Sequence, residues 1–172
     1  MKLGIYSHCT IDTINIDGNS HQQIGGAACY CGLTARQLKF DVELFTKFGN
    51  DFPSDEYFTK NKIKFNTAPV DTGTTKFTLD VSGAERELFL TNSCDPLEYV
   101  DTDADGILIS PLYDEISEDL FNKIKQNSKF LFVDPQGFLR RKNPDGKITL
   151  ERTQLDLSNV SGIKAGVDEL QC

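Results

Sequence analysis

The sequence predicts an α/β fold of three layers, α/β/α, in which helices cover both faces of a mostly parallel sheet. Two observations predict it. Short apolar segments alternate with amphipathic ones, and a repeated strand–helix order is typical of parallel sheets. Between these units lies a hairpin over residues 77–91, whose apolar and polar residues alternate cleanly. The hairpin is too amphipathic for the interior of such a sheet, so it predicts a small accessory sheet, or lid.

The elements of the first half follow from local patterns. Residues 2–6 are predicted as a short buried strand, and residues 10–17 as a half-exposed strand that joins the lid. Helices are predicted over 27–38 and 54–62, with a strand over 42–48 between them. The buried face of the first helix is assigned to residues at helical spacing: Ala28, Cys31, Ala35 and Leu38.

In the second half the strand–helix order returns after the hairpin, whose turn is Ser82-Gly83-Ala84. Ser117 is a suitable N-cap for the predicted helix, since its hydroxyl can accept from a first-turn N–H. The other predicted elements are strands over 106–110, 129–133 and 160–164, a helix over 117–126, a loop over 134–137 and a helix starting at 168.

Composition excludes several function classes. The chain has 172 residues, with 18 basic and 26 acidic residues and a net charge of −8, so we expect neither a nucleic-acid nor a membrane partner. No apolar run approaches the ~20 residues of a membrane helix. Five cysteines, an odd number without a secretory signal, predict reduced thiols and a cytoplasmic location.

Polar residues near the predicted strand ends are candidates for ligand binding, because open α/β sheets bind ligands there. Gly25-Gly26 precedes a helix, so unpaired N–H groups could approach sugar hydroxyls or an anion. The alternative is a turn whose glycines only supply unusual dihedral angles. Asp12 offers two acceptor oxygens that suit a vicinal diol, or it is an ordinary surface residue of its strand.

Two further candidates have open alternatives. Arg140 could bind a carboxylate or phosphate as a fork-shaped donor, or belong to a solvated basic cluster with Arg141 and Lys142. A zinc site would require distant residues to converge, and their spacing is not that of a zinc motif, so no metal centre is predicted. A flavodoxin-like or Rossmann domain is disfavoured because no Gly-x-Gly-x-x-Gly follows the first strand. The residues considered for zinc are His8, Cys9, His21, Cys29 and Cys31.

One longer stretch carries a family resemblance. Gly25-Gly26 is followed by a helix rich in small residues, a strand and the turn Gly49-Asn50-Asp51. This arrangement resembles the first signature of the PfkB, or ribokinase-like, carbohydrate kinase family. Later segments follow in that family's order: the hairpin with its Gly83-Ala84-Glu85-Arg86 turn, the strand and Pro111 over 106–111, and the Asp-Pro segment over 132–140.

The resemblance implies an ATP-dependent kinase that phosphorylates a hydroxyl of a sugar or nucleoside, with Mg²⁺. It implies one ribokinase-like domain over 1–172, with lid strands at about 10–17 and 67–91, and a homodimer formed through the lid strands. Glu169 matches a glutamate that helps to organise Mg²⁺ and phosphate, although Gly166 replaces the family's asparagine. Substrate binding is assigned to Asp12, Gly25, Gly26, Tyr30, Arg86, Asp134 and Arg140.

Two departures limit what the resemblance implies. Tyr30 stands where many members have a substrate-binding asparagine, so we expect a substrate other than ribose. The family's Gly-Ala-Gly-Asp segment, which supplies an anion hole and the general base, does not occur in the chain. We therefore expect the substrate-binding part of a longer kinase, or a truncated product, that is inactive alone. The alternative is a non-catalytic, sugar- or nucleoside-binding or lid-dimerising homologue.

Overall fold

A six-stranded sheet with all strands parallel forms the centre of the computed structural model, which describes residues 1–172. The predicted parallel sheet is therefore confirmed. Its strands are, in spatial order, β12 (Gly162–Ile163), β9 (Leu131–Val133), β8 (Gly106–Ile109), β1 (Lys2–Tyr6), β4 (Asp41–Phe45) and β5 (Lys64–Phe65).

A separate four-stranded sheet forms the lid, as the hairpin and the strand over 10–17 predicted. Its two middle strands are parallel to each other, and each outer strand is antiparallel to its neighbour. In spatial order the strands are β3 (Asn19–Gly25), β2 (Thr10–Ile16), β6 (Lys76–Ser82) and β7 (Glu85–Asn92).

Two helices cover opposite faces of the central sheet. On α1 (Ala27–Gln37) small residues allow close packing, and a Cβ on Gly32 would lie 3.4 Å from Leu44 Cδ2. On α2 (Glu118–Asn127) the predicted cap is present, since Ser117 Oγ accepts from the Leu120 N–H at 3.2 Å. Residues 136–150 contain the short helix α3 (Gln136–Leu139) and the hairpin β10 (Arg140–Lys142) and β11 (Ile148–Leu150). No helix of the structure has both the length and the apolar character needed to span a membrane.

The core divides into two clusters because side chains of a strand alternate between the two faces of the sheet. On the α1 face, Ile5 and Leu44 pack with an aromatic group from the segment that follows β4 and includes β5. On the α2 face, Tyr6 stacks on Phe45 with ring centroids 4.3 Å apart, next to the apolar residues of α2. The aromatic group on the α1 face consists of Phe48, Phe52, Phe58 and Phe65.

Several element predictions were wrong. Strand β3 was not predicted, because its residues are polar apart from Ile24, as suits an exposed lid edge. Leu38 is 66% exposed, since α1 ends before it and buries Cys29 and Gly32 instead. The helix over 54–62 is only a π-helical turn, Asp55–Thr59. Boundaries also differ. The second lid segment starts at residue 76 rather than 67, and α3 begins within the loop predicted over 134–137. The strand predicted over 160–164 shortens to β12, and the helix predicted from 168 is a 3₁₀ turn over 169–171.

Candidate functional site

A cavity of about 340 Å³ lies between the lid and the carboxyl edge of the central sheet. The lid contributes apolar side chains from β2, β6 and β7 and polar ones from β2 and β3, and further polar residues come from the sheet side. The apolar lid residues are Ile14, Phe77, Leu79 and Leu88, and the main polar residues are Thr10, Asp12, Gln23, Tyr30, Asp134, Gln136 and Arg140. Five of the seven predicted substrate-binding residues therefore lie on this cavity: Asp12, Gly26, Tyr30, Asp134 and Arg140.

Gly25 and Gly26 shape the cavity floor in different ways. Gly25 ends β3 opposite Thr10 of β2, and a Cβ there would overlap Asp12 Oδ2 and lie 2.6 Å from Thr10 Oγ1. Gly26 has φ 87°, and a Cβ would lie 2.5 Å from the His8 carbonyl oxygen. No side chain caps α1, so its first N–H groups, next to the lining residues Gly26 and Ala27, remain available to a ligand.

Asp12 presents an incompletely satisfied carboxylate to this region. Oδ2 accepts from the Thr10 hydroxyl at 3.0 Å, whereas Oδ1 is shielded from solvent and has no hydrogen-bond partner. Burial raises the pKa of Asp12, and the Thr10 hydroxyl, the nearby Phe77 N–H and the charge of Arg140 lower it by less. A buried acceptor without a partner is rare in folded proteins, so the Asp12 carboxylate, which lines the cavity, keeps unused capacity to accept a hydrogen bond from a ligand hydroxyl.

Arg140 lies on the cavity rather than in a solvated basic cluster. Nη1 donates to the Leu112 carbonyl at 3.1 Å, and Cζ lies 5.6 Å from the centre of the Phe77 ring. Burial lowers the pKa of Arg140, while surrounding carboxylates, Glu169 foremost, raise it by less. The rest of the guanidinium can donate to a ligand. Of the three residues considered for a solvated basic cluster, only Lys142 is exposed.

Tyr30 and Asp134 line the cavity with polar groups that already have partners in the protein. Tyr30 is 53% exposed, and its hydroxyl donates to the Ile24 carbonyl at 3.2 Å. Asp134 directly follows β9, where Oδ2 pairs with Lys164 Nζ at 3.0 Å. Asp134 therefore carries a paired charge, unlike Asp12.

Three predicted site residues lie outside the cavity lining: Gly25, which adjoins it, and Arg86 and Glu169, which are further away. Arg86 is an exposed residue near the tip of the β6–β7 hairpin, where it pairs with Val81 beyond the lid residues over the cavity. Glu169 accepts from the Gly166 N–H at 2.5 Å through Oε2, which closes the 3₁₀ turn. The structure contains no group of three or more His, Cys, Asp or Glu side chains placed to hold a metal ion.

The residues considered for zinc make other contacts. The His8 ring donates from Nε2 to the Asp95 carbonyl at 2.8 Å and accepts through Nδ1 from the Thr75 hydroxyl at 2.9 Å. Cys9 Sγ lies 3.3 Å from Thr46 Oγ1, and His21 is exposed on β3. Because Thr75 and Asp95 flank the lid hairpin, His8 joins both ends of that hairpin to the central sheet.

Sequence reasoning missed Glu115, which supports the cavity from behind. It is buried, and its carboxylate accepts from the N–H groups of His8 at 3.2 Å, Leu112 at 2.7 Å and Tyr113 at 2.6 Å. These bonds hold the loops after β1 and β8 together. Gln23 was missed because β3 was not recognised; with β3 paired to β2, it faces Asp12 in register.

Known proteins resemble this chain in their structures rather than in their sequences. No protein-family model matches the sequence, and no curated protein sequence is similar to it. Solved structures are similar. One is a pyrophosphate-dependent kinase in the ribokinase family, complexed with a pyrophosphate analog and myo-inositol; its TM-score is 0.83 at 21% identity, covering 98% of this chain and 62% of that one.

Two other similar structures come from different kinases. The ribokinase of Thermotoga maritima has a TM-score of 0.67 at 14% identity and covers 98% of this chain and 60% of its own. The nucleoside kinase of Methanocaldococcus jannaschii has a TM-score of 0.63 at 15% identity, and the match covers 80% of this chain and 53% of the kinase. This chain thus spans 53–62% of the length of these three structures. It has the ribokinase-like fold, in the part that comprises the lid and the adjoining parallel strands.

Proposed function

We propose that these residues form the substrate-binding part of an ATP-dependent kinase that phosphorylates a hydroxyl of a small polyhydroxyl molecule. One observation carries the proposal: an unsatisfied Asp12 carboxylate, an uncapped helix N-terminus and the Arg140 guanidinium border one cavity under an apolar lid. The similar structures support it, since they include a myo-inositol kinase and a nucleoside kinase. The proposal treats residues 1–172 as one domain and includes a cytoplasmic location.

Different groups of the cavity bind different parts of such a molecule. Asp12 accepts a hydrogen bond from a ligand hydroxyl, while Arg140 and the first N–H groups of α1 donate to ligand oxygens. The lid residues Phe77 and Leu79 pack against the C–H surface of the ring and keep water out. Such positioning is the larger part of what a kinase contributes, because phosphoryl transfer depends on geometry and electrostatic stabilisation.

The phosphoryl donor needs a separate test. ATP with Mg²⁺ is the donor that the resemblance implies, but three of the similar structures are pyrophosphate-dependent kinases. Glu169 is the only residue assigned to Mg²⁺ and phosphate, and its carboxylate closes a local turn. The role of Glu169 toward Mg²⁺ and phosphate therefore stays a prediction.

We expect the 172 residues by themselves to bind substrate without transferring phosphate. The Gly-Ala-Gly-Asp segment, to which the resemblance assigns the general base, does not occur in them, and losing even one anion-hole donor slows catalysis by roughly 10²–10³. The same observation favours the second candidate function, a non-catalytic sugar- or nucleoside-binding homologue. A turnover assay of the purified chain, with ATP and with pyrophosphate, tests this expectation.

Binding itself is tested by calorimetry and thermal shift with myo-inositol, ribose, glucose and adenosine. We expect at least one to stabilise the protein, and Asp12→Asn to weaken that ligand roughly tenfold or more, because hydrogen bonds to a charged group contribute about 1.5–3 kcal/mol.

Asp17→Asn is the matched control for this test. It makes the same change at an exposed turn just beyond the other end of β2, where φ is 49° and asparagine is well tolerated. Its affinity should equal that of the wild type. If no polyhydroxyl compound binds, or if both variants weaken binding equally, the proposed function is wrong.

A further inference from the structure

We infer that this cavity selects uncharged polyhydroxyl compounds and excludes sugar acids and sugar phosphates. The inference rests on the proposed function and specifies its substrate class. It follows from the hydrogen-bonding capacity of the polar wall, from the charges around Arg140 and from the apolar residues of the lid. The polar wall is the set of cavity-lining residues Asp12, Asp134, Gln136 and Arg140.

The hydrogen-bonding groups of the polar wall complement a hydroxyl better than an anion. Asp12 can only accept when ionised, and its Oδ1 has no partner. Arg140 can only donate; it uses one bond to the Leu112 carbonyl and forms no salt bridge. A hydroxyl can donate to Asp12 and accept from Arg140 at once. A carboxylate or phosphate placed between the two side chains could accept from Arg140, but it has no hydrogen to donate to Asp12 and would face a like charge.

The charge of Arg140 already has several carboxylates near it. Asp12, Asp134, Glu115 and Glu169 all lie close enough to act on it electrostatically. Lys164, a cation near these groups, is paired with Asp134 at 3.0 Å. Carboxylates therefore outnumber cations around the polar wall, so the local field repels an added negative charge.

The lid makes this discrimination stronger. Ile14, Phe77, Leu79 and Leu88 place apolar surface over the polar wall. An anion held there would lose hydration without gaining a full set of partners, whereas a neutral ring presents C–H groups to the same surface. The arrangement therefore suits a compound with a hydroxyl-bearing edge and an apolar face.

Matched ligand pairs test the inference by calorimetry. They are glucose with glucuronate, myo-inositol with myo-inositol 1-phosphate, and adenosine with adenosine 5′-monophosphate. In the pair whose neutral member binds best, we expect the anionic member to bind more than about tenfold more weakly. If it binds as tightly or more tightly, the inference is wrong while the proposed function stands. If no member of any pair binds, the proposed function fails and the inference falls with it.

Asp12→Asn then tests the cause of the selectivity. Removing this negative charge should weaken the neutral ligand and strengthen the anionic one, so that the ratio of their affinities falls at least about fivefold. Asp17→Asn, at the exposed turn, should keep the wild-type ratio. An unchanged ratio in a folded Asp12→Asn protein would contradict the role assigned to Asp12. The ligand pairs on the wild-type protein test the selectivity independently of any variant.

Discussion

At the scale of single residues, the two adjacent glycines of the cavity floor differ in what they exclude. A side chain at Gly25 would meet the mobile carboxyl group of Asp12 and the hydroxyl of Thr10. A side chain at Gly26 would meet the backbone oxygen of His8, at a φ of 87° that L-residues rarely adopt. Gly25 thus keeps space for a functional group, and Gly26 allows the chain to turn.

Alanine substitutions should separate these two roles. We expect Gly25→Ala to displace the Asp12 carboxylate and to weaken ligand binding roughly tenfold, with a small change in stability. Gly26→Ala should lower the free energy of unfolding by about 1–3 kcal/mol, because its backbone conformation is strained. Calorimetry and urea unfolding of both variants check this. Equal losses of stability in the two variants would contradict the assignment.

At the scale of elements, the lid is joined to the central sheet at its base. Asp51, in the turn after β4, accepts from the Thr74 N–H at 3.1 Å and the Thr74 hydroxyl at 2.6 Å, and pairs with Lys76 Nζ at 2.7 Å. Burial raises the pKa of Asp51, but these hydrogen bonds outweigh it and lower the pKa to about 2. The Gly-x-Asp turn that marked the family resemblance therefore holds the entry to β6.

Removing Asp51 should loosen this connection. We expect Asp51→Ala to lower the free energy of unfolding by about 1–2 kcal/mol, because the Thr74 N–H loses its partner. Hydrogen exchange should increase over β6. Asp71→Ala, at an exposed residue of the preceding loop, is the control and should leave both measurements unchanged. If exchange over β6 is unaltered in Asp51→Ala, Asp51 does not anchor the lid.

At the scale of the whole molecule, His8 couples stability to pH. It is buried between the sheet and the lid base, and burial lowers its pKa below the ordinary value of 6.5, against the opposing effect of Glu115. Below pH 6.5 the unfolded chain therefore binds a proton that the folded protein does not. The contribution of His8 to stability is complete above that pH and is lost as the pH falls.

The chain has two histidines, which makes this dependence testable. We expect the free energy of unfolding to fall between pH 6.5 and 5.5 by up to about 1.4 kcal/mol per pH unit in the wild type. His8→Gln should be less stable at pH 7.5 but show a smaller decrease, whereas His21→Gln, at an exposed position, should keep the wild-type slope. Urea unfolding at pH 7.5, 6.5 and 5.5 measures this. Identical slopes in all three proteins would contradict the role of His8.

Much of the fold could be predicted because its signals are local. The strand over 2–6 is apolar, the helix after Gly26 carries small residues at helical spacing, and Ser117 precedes an amphipathic helix. Strand β3 gave no such signal, because a polar lid edge has no buried face. The turn over 55–59 resembled a helix in sequence, but its packing produced only one π-helical turn.

The candidate site was predictable only in part. Asp12 was assigned to the site through the family resemblance, whereas Gly26 could also be placed there because it precedes a helix at the edge of a parallel sheet where ligands bind. Whether Arg140 pointed into the cavity or into solvent could not be read from a basic run. Glu115 was not found, since its contact with the distant His8 N–H forms only when the loops after β1 and β8 meet, although its other two donors, Leu112 and Tyr113, are near in sequence.

The sequence alone determined most of the strands and helices and the lid hairpin, because periodicity, glycines and capping residues act over short distances. It also offered Asp12 and Gly26 as candidates, Asp12 mainly through the family resemblance. Only the tertiary structure decided that Arg140 lines the cavity, that Arg86 and Glu169 do not, and that Asp12 lacks a partner for one oxygen. These outcomes depend on which side chains the packed lid and sheet bring together, and contacts of that kind leave no local pattern.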